Sequence, residues 1–332
     1  MIFTELSIND RRDIIDFVSS RTGYAGAIIE KDWWVTTVLR AIFSLPYASS
    51  LSFKGGTSLS KCWRLINRMS EDIDIAINRE YLGFAEPLSK TQISDKLRRA
   101  TCSFVRQTMQ SDINDGLLAQ GIDPRLFKVW VNITPVSTTD PEVIFIEYNP
   151  TVPQLAYIPP RVKIEVSGRS MTEAVIPQKV SSYIAETISS EVLTEDPVEL
   201  TAVSPHRTFL EKIFLLHESL AKPPAEIRVE RMSRHIYDID QIMDTHIAEE
   251  AINDSDLYDS IIEHRRKFIG LKGFDYDTLR RGSINIIPDE KILRAWQLDY
   301  QQTISNMVLG NTRRFDEVLV RMKELNKKIN GI

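Results

Sequence analysis

The chain has 332 residues, and 41 Lys and Arg side chains against 46 Asp and Glu give a formal net charge of −5. Its 42% hydrophobic and 26% charged residues are typical of globular domains and exclude wholesale disorder and a coiled coil. The acidic balance argues against a protein that coats nucleic acid non-specifically. Two cysteines suit a reducing compartment, and no apolar stretch approaches the roughly 20 residues of a membrane span, so we expect a cytoplasmic protein without a membrane partner.

Helical patterns come first along the chain. Apolar residues recur at helical spacing around residues 14–18 and 33–43, which predicts helices up to about residue 45. Pro46 should end the second helix, because proline disfavours helical geometry in the residue before it. Trp33 and Trp34 are neighbours, so we expect one of them in the core and the other at an edge or an interface.

Strand patterns begin near residue 50. The polar and apolar alternation of a strand is clearest in Asp72-Ile73-Asp74-Ile75-Ala76-Ile77. A polar helix is predicted over 90–109. The strand candidates are 51–54, 72–77, 126–134, 143–148 and 161–166. After about Met171 the strand patterns fade, and the rest of the chain is predicted to be helical, most strongly over 208–217.

These elements predict an α+β fold, in which a mixed α/β centre with a mixed sheet lies between two helical portions. We expect an N-terminal helical segment packed on the core at 1–48, the α/β core at 49–170 and a C-terminal helical domain at 171–332.

Gly55-Gly56-Thr57 lies between a predicted strand and a predicted helix. Glycines allow the backbone to approach a ligand closely, and the N–H groups that open a helix suit phosphate oxygens. Thr57 or Ser58 could add a hydroxyl donor and cap the helix. The same turn can also serve only to connect the two elements.

Asp72 and Asp74 are two residues apart in a predicted strand, so both carboxylates project from the same face. Two neighbouring carboxylates repel each other unless a positive charge lies between them. Magnesium supplies that charge where the substrate carries phosphates. The alternative is the solvated polar face of an edge strand.

Glu165 belongs to Arg161-Val162-Lys163-Ile164-Glu165-Val166, where charged and apolar side chains alternate. If this strand lies beside Asp72 and Asp74, Glu165 completes a carboxylate trio able to hold two metal ions. The alternative is an ordinary amphipathic strand, with Glu165 paired to Lys163 or Arg161. A phosphate-binding turn, a helix, a strand with two acids and a later strand with one acid form the layout of nucleotidyl transfer.

The residues that carry this layout resemble a known family. Phe53-Lys54-Gly55-Gly56-Thr57-Ser58-Leu59-Ser60-Lys61 and Arg68-Met69-Ser70-Glu71-Asp72-Ile73-Asp74 resemble the AbiEii/AbiGii toxin family of nucleotidyltransferases. Those proteins are the enzymatic halves of type IV toxin–antitoxin and phage abortive-infection systems. The lead-in Glu30-Lys31-Asp32-Trp33-Trp34-Val35-Thr36 is similar as well. Two later segments resemble the family's third and fourth motifs: Arg207-Thr208-Phe209-Leu210-Glu211-Lys212 and Arg234-His235-Ile236-Tyr237-Asp238-Ile239.

The resemblance implies a nucleotidyltransferase-like core with assigned site residues. Gly56 and Thr57 would grip the triphosphate of an NTP substrate, and Asp72 and Asp74 would bind Mg²⁺. The expected site then comprises nucleotide-binding Gly55, Gly56, Thr57 and Ser58, metal-binding Asp72, Asp74 and Glu165, and catalytic Asp72, Asp74, Glu165, Lys212 and Asp238.

The two later motifs imply roles for Lys212 and Asp238. Lys212 matches the lysine of the third motif, where a cation would neutralise charge on the phosphates. Asp238 matches the terminal acid of the fourth motif. Many toxins of the family have a Lys-Asp pair at the start of this motif, and this chain has Arg234-His235 instead.

The function expected is therefore that of a metal-dependent nucleotidyltransferase toxin. It would transfer a nucleotide from an NTP to an acceptor hydroxyl, on tRNA or another RNA, and would have a cognate antitoxin. A small-molecule nucleotidyltransferase of the antibiotic-modifying kind and a catalytically silent module that binds a partner or RNA are the alternatives. The presence of Asp72, Asp74 and Glu165 argues against the catalytically silent module. Arg228, Arg231 and Arg234 are expected along one helical stripe, which is either a solvated face or a contact for phosphate or RNA. The helical C-terminal portion with its arginines favours a large acceptor over a small one.

Overall fold

The computed structural model describes residues 3–70, 72–133, 141–155, 157–171, 174–188, 193 and 195–331. Backbone contacts divide the chain into two compact units. We call Met1–Cys62 with Met69–Val203 the sheet unit, and Trp63–Arg68 with Ser204–Ile332 the helical unit. The three-part division at residues 48 and 170 stays a prediction.

A seven-stranded mixed sheet forms the centre of the sheet unit, in the order β3-β4-β5-β2-β1-β7-β6. Two neighbouring pairs, β2 with β5 and β1 with β7, run parallel, and the other pairs run antiparallel. The mixed α/β class expected from the sequence is confirmed. The strands are β1 (Leu51–Lys54), β2 (Asp72–Ile77), β3 (Phe127–Val131), β4 (Glu142–Tyr148), β5 (Arg161–Ser167), β6 (Val175–Val180) and β7 (Val198–Val203).

The five predicted strands are present, but the expectation that strands end near Met171 is wrong. β7 alternates buried apolar positions with the exposed Glu199 and pairs with β1. β6 is an edge strand with four exposed positions and contains Pro177, so it has little apolar alternation. The predicted strand 126–134 is shorter, and its last residue, Thr134, lies outside the described residues.

Helices flank the sheet. The predicted polar helix is longer than expected, because π-helical turns at Gln92–Lys96 and Val105–Met109 connect it to a further helix that ends at Ala119. The described helices of the sheet unit are α1 (Ile8–Thr22), α2 (Gly26–Phe43), α3 (Gly55–Lys61), α4 (Leu97–Phe104), α5 (Gln110–Ala119) and α6 (Tyr183–Thr187), with 3₁₀ turns at Phe3–Glu5 and Ala48–Ser50.

Helix α2 is buried almost all round, which corrects the expectation for Trp33 and Trp34. Both indoles lie in the core, because α2 contacts β5 and β7 as well as α1, α5 and α6. Trp34 stacks on Tyr148 with ring centroids 5.0 Å apart, and Trp33 packs on Phe3 at 5.1 Å. A helix covered on several sides has no solvent face to which one of two neighbouring residues must point.

The helical unit packs α8, α9 and α10 around the apolar α7. No helix among the described residues is long and apolar enough to cross a membrane. The arginine stripe is not formed, because α8 begins at Ser233, after Arg228 and Arg231. The described helices of this unit are α7 (Pro205–Leu220), α8 (Ser233–Ile242), α9 (His246–Asn253), α10 (Ser255–His264), α11 (Glu290–Met307) and α12 (Phe315–Asn330), with short turns at Pro224–Glu226, Arg265–Ile269 and Tyr276–Leu279.

Candidate active site

Strand register brings the predicted carboxylates together. β2 and β5 run side by side in parallel, with Asp72 opposite Lys163 and Asp74 opposite Glu165. Because side chains alternate along a strand, these four charged groups share one face of the sheet. All four are half-buried, so they are partly withdrawn from water.

Lys163 is part of this cluster. Its ammonium donates a hydrogen bond to Glu165 Oε1, which is the pairing that the sequence left open as the alternative. Burial alone would lower the pKa of Lys163, but Glu165, Asp72 and Asp74 together raise it above its usual value. Among the described residues, no group of three or more His, Cys, Asp or Glu side chains is placed to hold a metal ion.

Gly55 allows the Asp74 carboxylate to lie against the backbone at the start of α3. Its φ of +82° lies in the left-handed region that favours glycine. A Cβ built on Gly55 would lie 2.0 Å from Asp74 Oδ2 and 2.9 Å from Asp74 Cγ. A residue with a side chain at this position would therefore displace the carboxylate.

The hydroxyl of Thr57 faces the protein. Thr57 is 1% exposed, and its Oγ1 lies 2.8 Å from Ser70 Oγ and donates to the carbonyl oxygen of Asp72 at 2.5 Å. Ser58 is equally buried. Both hydroxyls therefore lie inside the protein, and Thr57 ties α3 to the start of β2. Glu71, part of the same motif, lies outside the described residues.

Asp32 stabilises the other end of α3, a contact that the sequence reading missed. Lys61 Nζ lies 2.5 Å from Asp32 Oδ1, and both side chains are buried. Asp32 Oδ2 accepts a hydrogen bond from the backbone N–H of Tyr183 at 2.8 Å. The sequence did offer a signal for this contact: Asp32 is a charged residue within the apolar helix α2. Because buried charges in proteins are paired, such a residue predicts a partner of opposite charge.

Asp238 lies at the centre of a second charged cluster, within the helical unit. Arg68 Nε donates to its Oδ1 at 2.6 Å and Nη2 to its Oδ2 at 2.8 Å. Lys212 Nζ lies 2.8 Å from Oδ2. Burial alone would raise the pKa of Asp238, but the charges and hydrogen bonds of Arg68 and Lys212 hold it well below its usual value.

His235 extends this second cluster. Its Nδ1 lies 3.4 Å from Lys212 Nζ. Burial, together with the positive charges of Lys212 and Arg234, holds the pKa of His235 well below its usual value, so the imidazole is neutral near pH 7. Burial lowers the pKa of Lys212 and Asp238 offsets only part of this effect, while Arg68 shares the same carboxylate.

The structure thus places the expected site residues in two groups. Lys212 and Asp238 lie together in the helical unit, where Arg68 is an additional partner that the sequence reading missed. The group in the sheet unit comprises Gly55, Gly56, Thr57, Ser58, Asp72, Asp74 and Glu165.

Comparison with known proteins gives the family. The family model of the nucleotidyl transferase AbiEii toxin of type IV toxin–antitoxin systems matches residues 37–321. This span is most of the chain, so the chain belongs to the AbiEii family, as its motifs predicted, and is a nucleotidyltransferase of the toxin–antitoxin class. No curated protein matches the sequence.

Solved structures show a distant likeness. The crystal structure of JHP933 from Helicobacter pylori matches at 12% identity and a TM-score of 0.45, with 92% of each chain covered. MenT4, the nucleotidyltransferase toxin Rv2826c of Mycobacterium tuberculosis H37Rv, matches at 14% identity and a TM-score of 0.42, with 94% of this chain and 98% of that chain covered. At these TM-scores neither likeness supports a conclusion about this chain.

Proposed function

We propose that this nucleotidyltransferase transfers a nucleotide from an NTP to a hydroxyl of an RNA acceptor, with tRNA as the first candidate, and that it needs a divalent cation on Asp72 and Asp74. The observation that carries the proposal is the contact between the Asp74 carboxylate and the backbone of Gly55. It joins the turn expected to hold phosphate to the strand expected to hold the cation, as nucleotidyl transfer requires.

The carboxylates of Asp72 and Asp74 fit a magnesium ion by their chemistry. Mg²⁺ prefers oxygen ligands and is commonly held by one or two carboxylates together with substrate phosphates and water. The two acids share one strand face, so their carboxylate oxygens lie on the same side of the sheet. When bound, the cation would act as a Lewis acid that lowers the pKa of the acceptor hydroxyl and neutralises charge on the triphosphate.

The backbone of Gly55 and Gly56 is the proposed contact for the triphosphate. Because the hydroxyl of Thr57 is bonded to the Asp72 carbonyl oxygen, we assign to Thr57 the role of fixing the turn to β2. Its backbone N–H, together with that of Gly56, would face the phosphate oxygens. Ser58 is buried in α3, so the proposed contact with the phosphates passes through backbone N–H groups and not through its hydroxyl.

Lys212 is the proposed cation for the phosphates, and Asp238 is its positioning partner. The ion pair between them is 2.8 Å long, and Asp238 is fully buried. Arg68 donates to both oxygens of Asp238, including the Oδ2 that Lys212 contacts, so the two basic side chains share a single negative charge. Lys212 would therefore keep an attraction for a negatively charged ligand.

The reaction would be an in-line displacement without a covalent enzyme intermediate. The acceptor oxygen forms a bond to the α-phosphorus, and the bond from that phosphorus to the bridging oxygen breaks. The electron pair of the broken bond leaves with pyrophosphate, and the proton of the hydroxyl passes to solvent or to a carboxylate of the cluster. The side chains of this chain contribute position and charge, which are the main sources of catalysis in such reactions.

The test is a transfer assay. Purified protein is incubated with each NTP labelled at the α-phosphate, Mg²⁺ and total tRNA, in parallel with the Asp72→Asn and Asp74→Asn variants. We expect labelled RNA with the wild type only, and a requirement for the divalent cation. Label on small molecules alone would support an antibiotic-type enzyme, and no transfer at all would support a silent binding module.

The proposed place of action is the cytoplasm, which contains both NTPs and tRNA, and the proposed partner is an antitoxin. The family pairs each toxin with an antitoxin. Induction of the chain alone in a bacterial host should arrest growth, and the Asp74→Asn variant should not. Equal growth arrest by the wild type and by Asp74→Asn would show that toxicity does not depend on nucleotidyl transfer.

A further inference from the structure

Lys163 lies in the position from which its positive charge acts on the three carboxylates Asp72, Asp74 and Glu165. It is directly opposite Asp72 in the register of β2 and β5, and it precedes Glu165 by two residues on the same strand face. Its ammonium is hydrogen-bonded to Glu165. The side chain is one-third exposed, so it is fixed by its neighbours while one side remains open to solvent.

The charges of the cluster are too few for two divalent cations. Asp72, Asp74 and Glu165 carry three negative charges, Lys163 carries one positive charge, and Lys54, opposite Asp74 in the register of β1 and β2, carries another. These five side chains leave one negative charge, which a single Mg²⁺ already outweighs. A second divalent cation would have to approach an ammonium group already bonded to Glu165, and like charges this close repel strongly in a half-buried site.

We propose that Lys163 takes the place of a second metal ion, so that this site binds one divalent cation, on Asp72 and Asp74. The proposal rests on the proposed function and deepens it, because it decides between one ion and two. Lys163 is then a positioning residue: its bond to Glu165 keeps that carboxylate out of the ligand set of the metal.

The number of ions bound is the measurement that tests this role. Mn²⁺, which replaces Mg²⁺ at carboxylate sites and has an electron paramagnetic resonance signal, is titrated into the full-length protein without nucleotide. The variants are Lys163→Met, which removes the charge, and Lys163→Arg, which keeps it. Lys179→Met is the matched control, because Lys179 also pairs with a glutamate across the same sheet, at an exposed site between β6 and β7. Circular dichroism checks that each variant is folded.

We expect one Mn²⁺ per chain for the wild type, for Lys163→Arg and for Lys179→Met. Lys163→Met should bind a second Mn²⁺ through the released Glu165, and its first Mn²⁺ should bind about tenfold more tightly or better, since a neighbouring positive charge is gone. The double variant Lys163→Met with Glu165→Gln should return to one ion.

Other outcomes overturn the inference. Two Mn²⁺ per wild-type chain, or a single Mn²⁺ per chain in Lys163→Met, would show that Lys163 does not exclude the second ion. Neither result would contradict the proposed function as a metal-dependent transferase. No Mn²⁺ bound by the wild type, together with no labelled RNA in the transfer assay, would remove the proposed function as well.

Discussion

Replacement of Gly55 by alanine should slow nucleotidyl transfer by about a hundredfold and leave the protein folded. The new Cβ would lie 2.0 Å from Asp74 Oδ2, and real Cβ contacts are not shorter than 3.0 Å, so the carboxylate must retreat by about 1 Å. A displacement of that size at a reacting group can reduce a rate by about a hundredfold. This corresponds to roughly 2.7 kcal/mol of lost transition-state stabilisation.

The stability of the Gly55→Ala variant should fall much less. An alanine at φ +82° costs about 1 to 2 kcal/mol of backbone strain. The Asp74 side chain can turn aside, so the close contact itself need not unfold the protein. Gly83→Ala provides the matched control, because Gly83 has a φ of +85° in the same unit and a Cβ there would meet no atom within 4 Å.

The assay compares the two variants in both properties. Urea denaturation gives the free energy of unfolding, and single-turnover transfer from an α-labelled NTP gives the rate. Both variants should lose similar stability, and only Gly55→Ala should lose transfer. If Gly55→Ala transfers at the rate of Gly83→Ala, the position of the Asp74 carboxylate against Gly55 does not matter for the reaction and the reasoning fails.

Two more predictions concern the helical unit. Asp238→Asn should reduce its free energy of unfolding by about 3 to 5 kcal/mol in urea denaturation, because Arg68 and Lys212 would then lie buried without a counter-charge; a loss below about 1 kcal/mol would contradict the assigned ion pairs. The second is a pH effect: burial lowers the pKa of His217, whose Nδ1 accepts a hydrogen bond from the backbone of Asn285. As the pH falls, His217 is therefore protonated in the unfolded state at a higher pH than in the folded state. Its contribution to the free energy of unfolding is fully present above about pH 6.5 and falls below that pH by up to about 1.4 kcal/mol per pH unit. His217→Gln should flatten this slope, and an unchanged slope would show that His217 does not cause it.

The strands that carry the acids could be predicted because their information is local. Residues 72–75 alternate charged and apolar side chains, and β2 covers Asp72–Ile77 as predicted. The turn at Gly55 and the common face of Asp72 and Asp74 each follow from a short stretch of contiguous residues. The family follows from these motifs too, since they are contiguous in sequence.

The contacts that complete each cluster could not be predicted, because they join distant segments. Arg68 and Asp238 are 170 residues apart, and no sequence pattern relates them. Whether Glu165 faces other acids or Lys163 depends on side-chain positions that alternation leaves open. The edge strand β6 was missed for a different reason: its exposed positions and its proline give it the composition of a loop.

The central claim is that this chain transfers a nucleotide to RNA at the Asp72 and Asp74 carboxylates. The most direct measurement compares wild type and Asp74→Asn, each incubated with Mg²⁺, total bacterial RNA and an NTP labelled either at the α-phosphate or at the γ-phosphate. We predict that RNA is labelled by the wild type from the α position only, and not by the variant. Label from the γ position, or equal α-labelling by both proteins, would contradict the claim.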